Sequence, residues 1–462
     1  MKTASIFKAA IASAALFCAT ALTAAPVAVE DPNEFKVDFG ADFRFRWEAY
    51  NDVGGRGWED PWEDYLRIRT RVWTKIGTEN VSFYGRLGNE FRHYFQGDKK
   101  GDRRFGDVIF VDNLYLDLND VIDGVKLRIG RQDLVGEFAS NRIIDDGTSV
   151  DGSRSNFFDA VRATIELGEK RTLDLVGLYC TNDDWMPEIG HRRSSKRSGS
   201  ERVDYDYSGM NHHEWGLVAY YADRSNKDFG WDVYTIGKME ESSKSSRIAN
   251  HNNLHNKNRH QYSTLTSGVR LLPKFTEEIS GEFELAAQIG DDNLFAGMGF
   301  ASLAYAPKNV LWEPVFSANV YFASGSSDGA DGNNAWHSVF NRGSIFGDNP
   351  AAMMQYVGNM TNMIYPYLQA SFTPADGLYV ELSCGPMFTA VKEGQGEDKS
   401  GSYYGLNARS LLVANMGELS GVEKLKKTEL ALVAEWLHKG TYVEQEFEGN
   451  ALYLCAELMQ KF

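Results

Sequence analysis

From Lys36 to Ala49 the chain alternates between two chemistries without a slip. Lys36, Asp38, Gly40, Asp42, Arg44, Arg46 and Glu48 fall on one parity; Val37, Phe39, Ala41, Phe43, Phe45, Trp47 and Ala49 fall on the other. Successive side chains of a β-strand point to opposite faces, so this segment makes a strand with one charged and one apolar face. A helix would scatter the same charges around its circumference. The length matters as much as the pattern. Strands of soluble sheets typically run about 5–6 residues, whereas a tilted strand that crosses a bilayer needs about 9–11.

The pattern recurs along the chain. Leu66, Ile68, Thr70 and Val72 alternate with Arg67, Arg69 and Arg71; Leu114, Leu116 and Leu118 with Tyr115, Asp117 and Asn119; Phe283, Leu285, Ala287 and Ile289 with Glu282, Glu284 and Gln288. Eighteen such segments are predicted, the first near 36–50 and the last near 450–462. Short connections rich in Gly, Asn, Asp or Pro (76–79, 119–124, 168–171, 374–377) contrast with long ones at 133–156, 182–211, 240–258 and 325–360. The expected fold is all-β: one closed antiparallel transmembrane barrel with short periplasmic turns and long extracellular loops. A soluble sandwich or β-helix shares the alternation but not the strand length.

Both ends agree with that fold. Lys2 and Lys8 precede the small-residue apolar stretch Ala9–Ala25, the layout of a secretory signal, so residues 1–25 are expected to be a leader and 26–462 the barrel. No run of eighteen apolar residues follows it, as a membrane helix would require. In the last segment Leu452, Leu454, Ala456, Leu458 and the terminal Phe462 share one face, a final-strand signal of the kind read by barrel-assembly machinery. The expected location is the outer membrane, with its lipid as a partner. Forty-eight basic residues against sixty-four acidic ones argue against a nucleic-acid partner. Cys180, Cys384 and Cys455 are odd in number and scattered, and read as lone thiols.

Parity assigns a lumen face. Arg44, Arg46, Arg67, Arg69, Arg71, Arg86, Arg92, Lys126, Arg128 and Arg162 fall on it, interspersed with Asp42, Glu48, Glu90 and Asp117. Residues 36–132 hold 17 basic and 17 acidic side chains, so this wall is balanced rather than purely positive. Two roles suit the same residues: cross-strand ion pairs that brace the barrel, and guanidinium forks that select carboxylates or phosphates. Trp47, Trp73, Trp215, Trp231, Trp312 and Trp436 lie near strand ends and read as interface girdle residues. The histidines lack a Cys or carboxylate at ligand spacing, and no nucleophile-elbow, P-loop or zinc-protease motif is present, so neither metal, cofactor nor enzymatic activity is expected.

One segment is more specific. Gly130-Arg131-Gln132, Leu134, Gly136, Asn141-Arg142, Gly152, Arg154 and Phe158-Asp159-Ala160-Val161-Arg162 occur in an order that resembles the alginate-export family of eighteen-stranded outer-membrane barrels. The resemblance implies a pore whose charged constriction selects an anionic or polar solute or polysaccharide. Arg131 carries the motif but by parity faces outward or near a rim, which makes Arg128 the lumen candidate. The alternatives are a structural or adhesin barrel plugged by its own loops, with 325–360 long enough to fold inward, and a barrel hydrolase.

Overall fold

The computed structural model describes residues 34–51, 62–95, 109–134, 140, 142–145, 157–180, 186, 213–241, 261–326, 334–337, 339–341, 346, 361–392, 401–441 and 450–462. The expected leader lies outside them, as does most of each long loop.

Among the described residues twenty strands form: β1 Lys36–Asn51, β2 Trp62–Gly77, β3 Val81–Tyr94, β4 Phe110–Ile122, β5 Val125–Gln132, β6 Ile144–Asp145, β7 Phe158–Glu166, β8 Arg171–Cys180, β9 Glu214–Asp223, β10 Phe229–Glu241, β11 Gln261–Pro273, β12 Ile279–Gly290, β13 Leu294–Tyr305, β14 Val315–Ala323, β15 Phe340–Asn341, β16 Met363–Ala375, β17 Leu378–Phe388, β18 Tyr403–Asn415, β19 Thr428–Lys439 and β20 Asn450–Lys461. Eighteen of them make one antiparallel sheet in sequence order, and β1 pairs with β20 to close it. The terminal residue joins the seam, its amide donating to the Ala41 carbonyl at 2.9 Å. The other two strands, β6 and β15, pair only with each other, in parallel.

Closure leaves no sheet edge, the condition under which strands can sit in lipid with every ladder bond satisfied. Side-chain burial is accordingly inverted. Along β12 Phe283, Leu285 and Ile289 are exposed, while Glu284, Ala286 and Gln288 between them are buried. Val37, Phe39, Phe83, Leu217, Phe295 and Leu458 are likewise exposed. In water this distribution would be unstable; facing acyl chains, it is the favoured one. Trp73 is not a girdle residue: it shares the inward parity of Arg69 and Arg71 and lies over Gly40 of β1, while the other predicted girdle tryptophans lie on or beside the outer face. Trp215 packs with Tyr179 and His213 at one end of the barrel, and Trp231 with Tyr221 at the other.

Candidate pore and constriction

On the inner face of β1, β2, β3 and β20 the charges interlock. Arg44 stands directly opposite Arg69, and Arg46 opposite Arg67. Like charges facing each other across a strand pair are destabilising, and carboxylates from neighbouring strands offset this. Arg44 donates to Glu90 (3.1 Å), Arg46 to Glu457 (2.6 Å), and Arg71 to Asp42 (2.8 Å). Arg67 is 3.2 Å from Glu48, which also accepts from the Tyr65 hydroxyl at 2.7 Å. Arg69 approaches Asp42 at 3.7 Å. Further round, Arg86 bridges Asp112 and Asp133 (2.5 and 2.7 Å), Arg128 donates to Asp117 (2.7 Å), Arg162 to Asp174 (2.9 Å), and Lys126 lies 2.6 Å from Glu166. The side chain of Arg92 lies outside the described residues. Every other residue assigned to the lumen by parity therefore sits in this network. Glu457, Asp112, Asp133, Asp174 and Tyr65 complete it without having been singled out in the sequence.

The ladder is not uniform along the barrel axis. Arg46 is wholly buried and Arg44 nearly so, with side-chain exposures of 0% and 2%. Towards the end that carries both chain termini, the side chains of Arg71 and Arg128 rise to 15% and 26%. Arg131 is different again. It falls on the opposite parity from Arg128, yet it is fully buried, donating to Asp159 (2.9 Å) and to the Val111 carbonyl (3.0 Å) beneath the ring of Phe157.

The lumen is also filled from two directions. Ser140 and Arg142, in the long connection after β5, reach the middle of β12 and bind Glu284, at 2.8 and 2.7 Å. Arg142 also binds Glu282 and stacks on Phe300, its guanidinium carbon 4.0 Å from the ring centroid. Glu284 is fully buried and accepts in addition from the Tyr234 hydroxyl at 2.9 Å. From the connection after β14, Trp336, Val339 and Phe340 are buried in the same apolar cluster as Leu134, Ile143, Ile144, Phe158 and Tyr321. Gln288 holds the main chain of His337 in both directions, accepting from its amide at 3.0 Å and donating to its carbonyl at 3.3 Å. The two connections also bond to each other: the Phe340 amide donates to the Ile143 carbonyl at 2.9 Å, and β6 pairs with β15. The described part of 325–360 thus folds inward, as its length allowed. Arg142 had a signal in the Asn141-Arg142 motif, and Glu282 and Glu284 in their parity, but nothing local links them.

A closed barrel, apolar outside, charged within and narrowed by its own loops defines an outer-membrane channel of the porin type. Comparison with known proteins agrees: the alginate export family model matches residues 35–386, and the chain belongs to that family. No curated protein matches it in sequence. Among solved structures it is similar to Pseudomonas aeruginosa OpdK (TM-score 0.57, 11% identity, 92% of this chain and 99% of that one covered). The same protein solved with vanillate gives a TM-score of 0.56 at 12% identity, covering 92% and 98%. Acinetobacter baumannii OccAB1 gives 0.55 at 8% identity, covering 94% and 99%. These likenesses establish the fold. With the family, they place the chain in the outer membrane as a channel and not an enzyme.

Proposed function

We propose that this channel passes anionic or polar solutes, with carboxylates the favoured class, and that its arginines divide into two groups. Arg44, Arg46, Arg67 and Arg69 brace the wall. Arg71, Arg86 and Arg128, nearer the terminal end, meet the permeant together with Lys126, while Arg162, buried against Asp174, braces the wall further round. The observation that carries this reading is the gradient of exposure along a single ladder. A guanidinium sealed within the wall cannot meet a passing solute, whereas a partly exposed one can exchange part of its pairing for an anion. Carboxylates also appear in the names of the relatives: alginate in that of the family, vanillate in one OpdK structure. Delivery through the barrel-assembly machinery is part of the proposal, supported by the apolar face that Leu452, Leu454, Ala456 and Leu458 share on the last strand. The inward loops support a second reading, in which the resting pore is largely closed.

Purified full-length protein in a planar bilayer under a KCl gradient tests the division. Serine at Arg71, Arg86 and Arg128 together is expected to move the reversal potential away from anion preference. An unchanged potential rejects these residues as the filter, and absence of any conductance rejects the channel reading itself.

A further inference from the structure

The charges of the inner wall stop at three strands. β13, β14 and β16 contain no Asp, Glu, Lys or Arg, whereas each of the other fifteen strands of the barrel places at least one on the described inner face. Leu303, Phe316, Val320 and Leu368 of these three strands are exposed on the lipid side, so the alternate positions Ser302, Ser317, Asn319 and Gln369 face the lumen. Exposed Leu382 fixes the inward direction of Ser383 on β17 in the same way. All five polar residues are half-buried. In the ring β14 and β16 stand nine strands from β4 and β5, so this neutral wall lies across the pore from Asp117 and Arg128.

The polar side chains form a continuous row. Ser302 pairs in register with Asn319, Ser317 with Gln369, Gln369 with Ser383, and Ser383 with Arg409 of β18. Neighbouring strands lie about 4.7–4.9 Å apart, so a short polyol chain covers more than one position at a time. A few bonds orient the row. The Asn319 amide donates to Ser317 (2.8 Å), and the Gln369 amide donates to Glu381 (2.9 Å), which also accepts from Arg409 (3.0 Å) and Tyr379 (2.8 Å). Among the described residues, the hydroxyls of Ser302 and Ser383 and the amide oxygens of Asn319 and Gln369 have no protein hydrogen-bond partner. On the ion-paired walls a permeant hydroxyl must compete with charge-assisted bonds, which are about twice as strong as neutral ones. Here it competes only with solvent.

We propose that Ser302, Asn319, Gln369 and Ser383 form a hydroxyl-binding row ending at Arg409, along which a hydroxylated carboxylate is held by its hydroxyl groups while its charge meets the guanidinium. Arg409 has the access this requires: its side chain keeps 14% exposure, close to the 15% of Arg71. The inference rests on the reading of the pore as a path for anionic solutes and adds discrimination between hydroxylated and plain carboxylates of equal charge.

The test uses two probes, glucarate and adipate. Both are open six-carbon dianions, but only the first carries hydroxyl groups. Each is titrated as a blocker of KCl current through full-length protein in a planar bilayer. Wild-type channels are expected to bind glucarate several-fold more tightly. Asn319→Ala and Ser383→Ala, on different strands, are each expected to weaken glucarate by roughly two- to tenfold, the worth of one neutral hydrogen bond. Adipate block is expected to stay as it is in both, a split that a misfolded or reshaped pore would not produce. Ser383→Thr, which keeps the hydroxyl, should retain most of the preference. Equal block by the two probes in the wild type overturns the row while leaving the channel intact. So does a glucarate preference that survives both alanine variants. A protein that conducts no ions overturns the parent reading instead.

Discussion

The Arg46–Glu457 pair gives the sharpest test of which charges brace and which select. It joins β1 to β20, so it bridges the seam that closes the barrel. The contact is 2.6 Å between side chains exposed by 0% and 11%. Glu457→Ala leaves Arg46 buried with its remaining carboxylate, Glu48, 3.6 Å away. Removing one partner of a buried ion pair typically costs about 3–5 kcal/mol, because the other charge stays desolvated. The residual Glu48 contact places the expected loss near the lower end, about 3 kcal/mol. The double variant Arg46→Met with Glu457→Leu removes both charges and is expected to recover to within about 1 kcal/mol of wild type. Asp117→Asn, which removes the carboxylate charge beside the quarter-exposed Arg128, is expected to cost about 1 kcal/mol or less. Urea unfolding of the refolded protein in liposomes, followed by the shift between folded and unfolded bands on a gel, measures all three. The reasoning is refuted if Glu457→Ala costs no more than Asp117→Asn, or if the double variant is as unstable as the single one.

Two further outcomes follow from the geometry. Glu284→Gln removes the charge that holds Ser140, Arg142 and Tyr234, and single-channel conductance is expected to rise as the inward loops release; an unchanged conductance would mean the apolar cluster alone holds them. Gly130 adopts φ +129° and a Cβ there would overlap the Leu114 carbonyl oxygen, so Gly130→Ala is expected to destabilise the barrel by about 1–3 kcal/mol in the same urea assay.

Much of the architecture is legible because a lipid-facing strand must be two-faced over its whole length. Lys36–Asn51 shows this best: its charged parity is the buried one throughout Asp42, Arg44, Arg46 and Glu48. Eighteen two-faced segments become eighteen paired strands by neighbour-to-neighbour hairpins, which require no long-range information. Partners across the seam do require it. Arg46 and Glu457 are 411 positions apart, and only closure of β1 on β20 sets their register. Arg142 and Glu284 are separated by 142 positions and meet because a loop enters the lumen, for which no period-two signal exists. Trp73 was legible and misjudged: its place near a strand end suggested a girdle, while its parity with Arg71, two residues earlier, put it inside.

The abundance of arginine on the inner wall has an explanation independent of any permeant. Arg86 reaches Asp112 and Asp133, and Arg142 reaches Glu282 and Glu284, each bridging two carboxylates at once. A guanidinium presents its donors in a planar fork that can do this; a lysine ammonium is a point charge on a flexible stem. Where charges must be buried between strands, the fork satisfies more acceptors for each charge desolvated. Count and parity are therefore shared by bracing and selecting arginines. Exposure separates them: Arg128 keeps a quarter of its side chain open where it lies over the ring of Tyr115, while Arg46 keeps none. Selectivity should accordingly follow the few accessible guanidinium groups, and thermodynamic stability the many that are sealed.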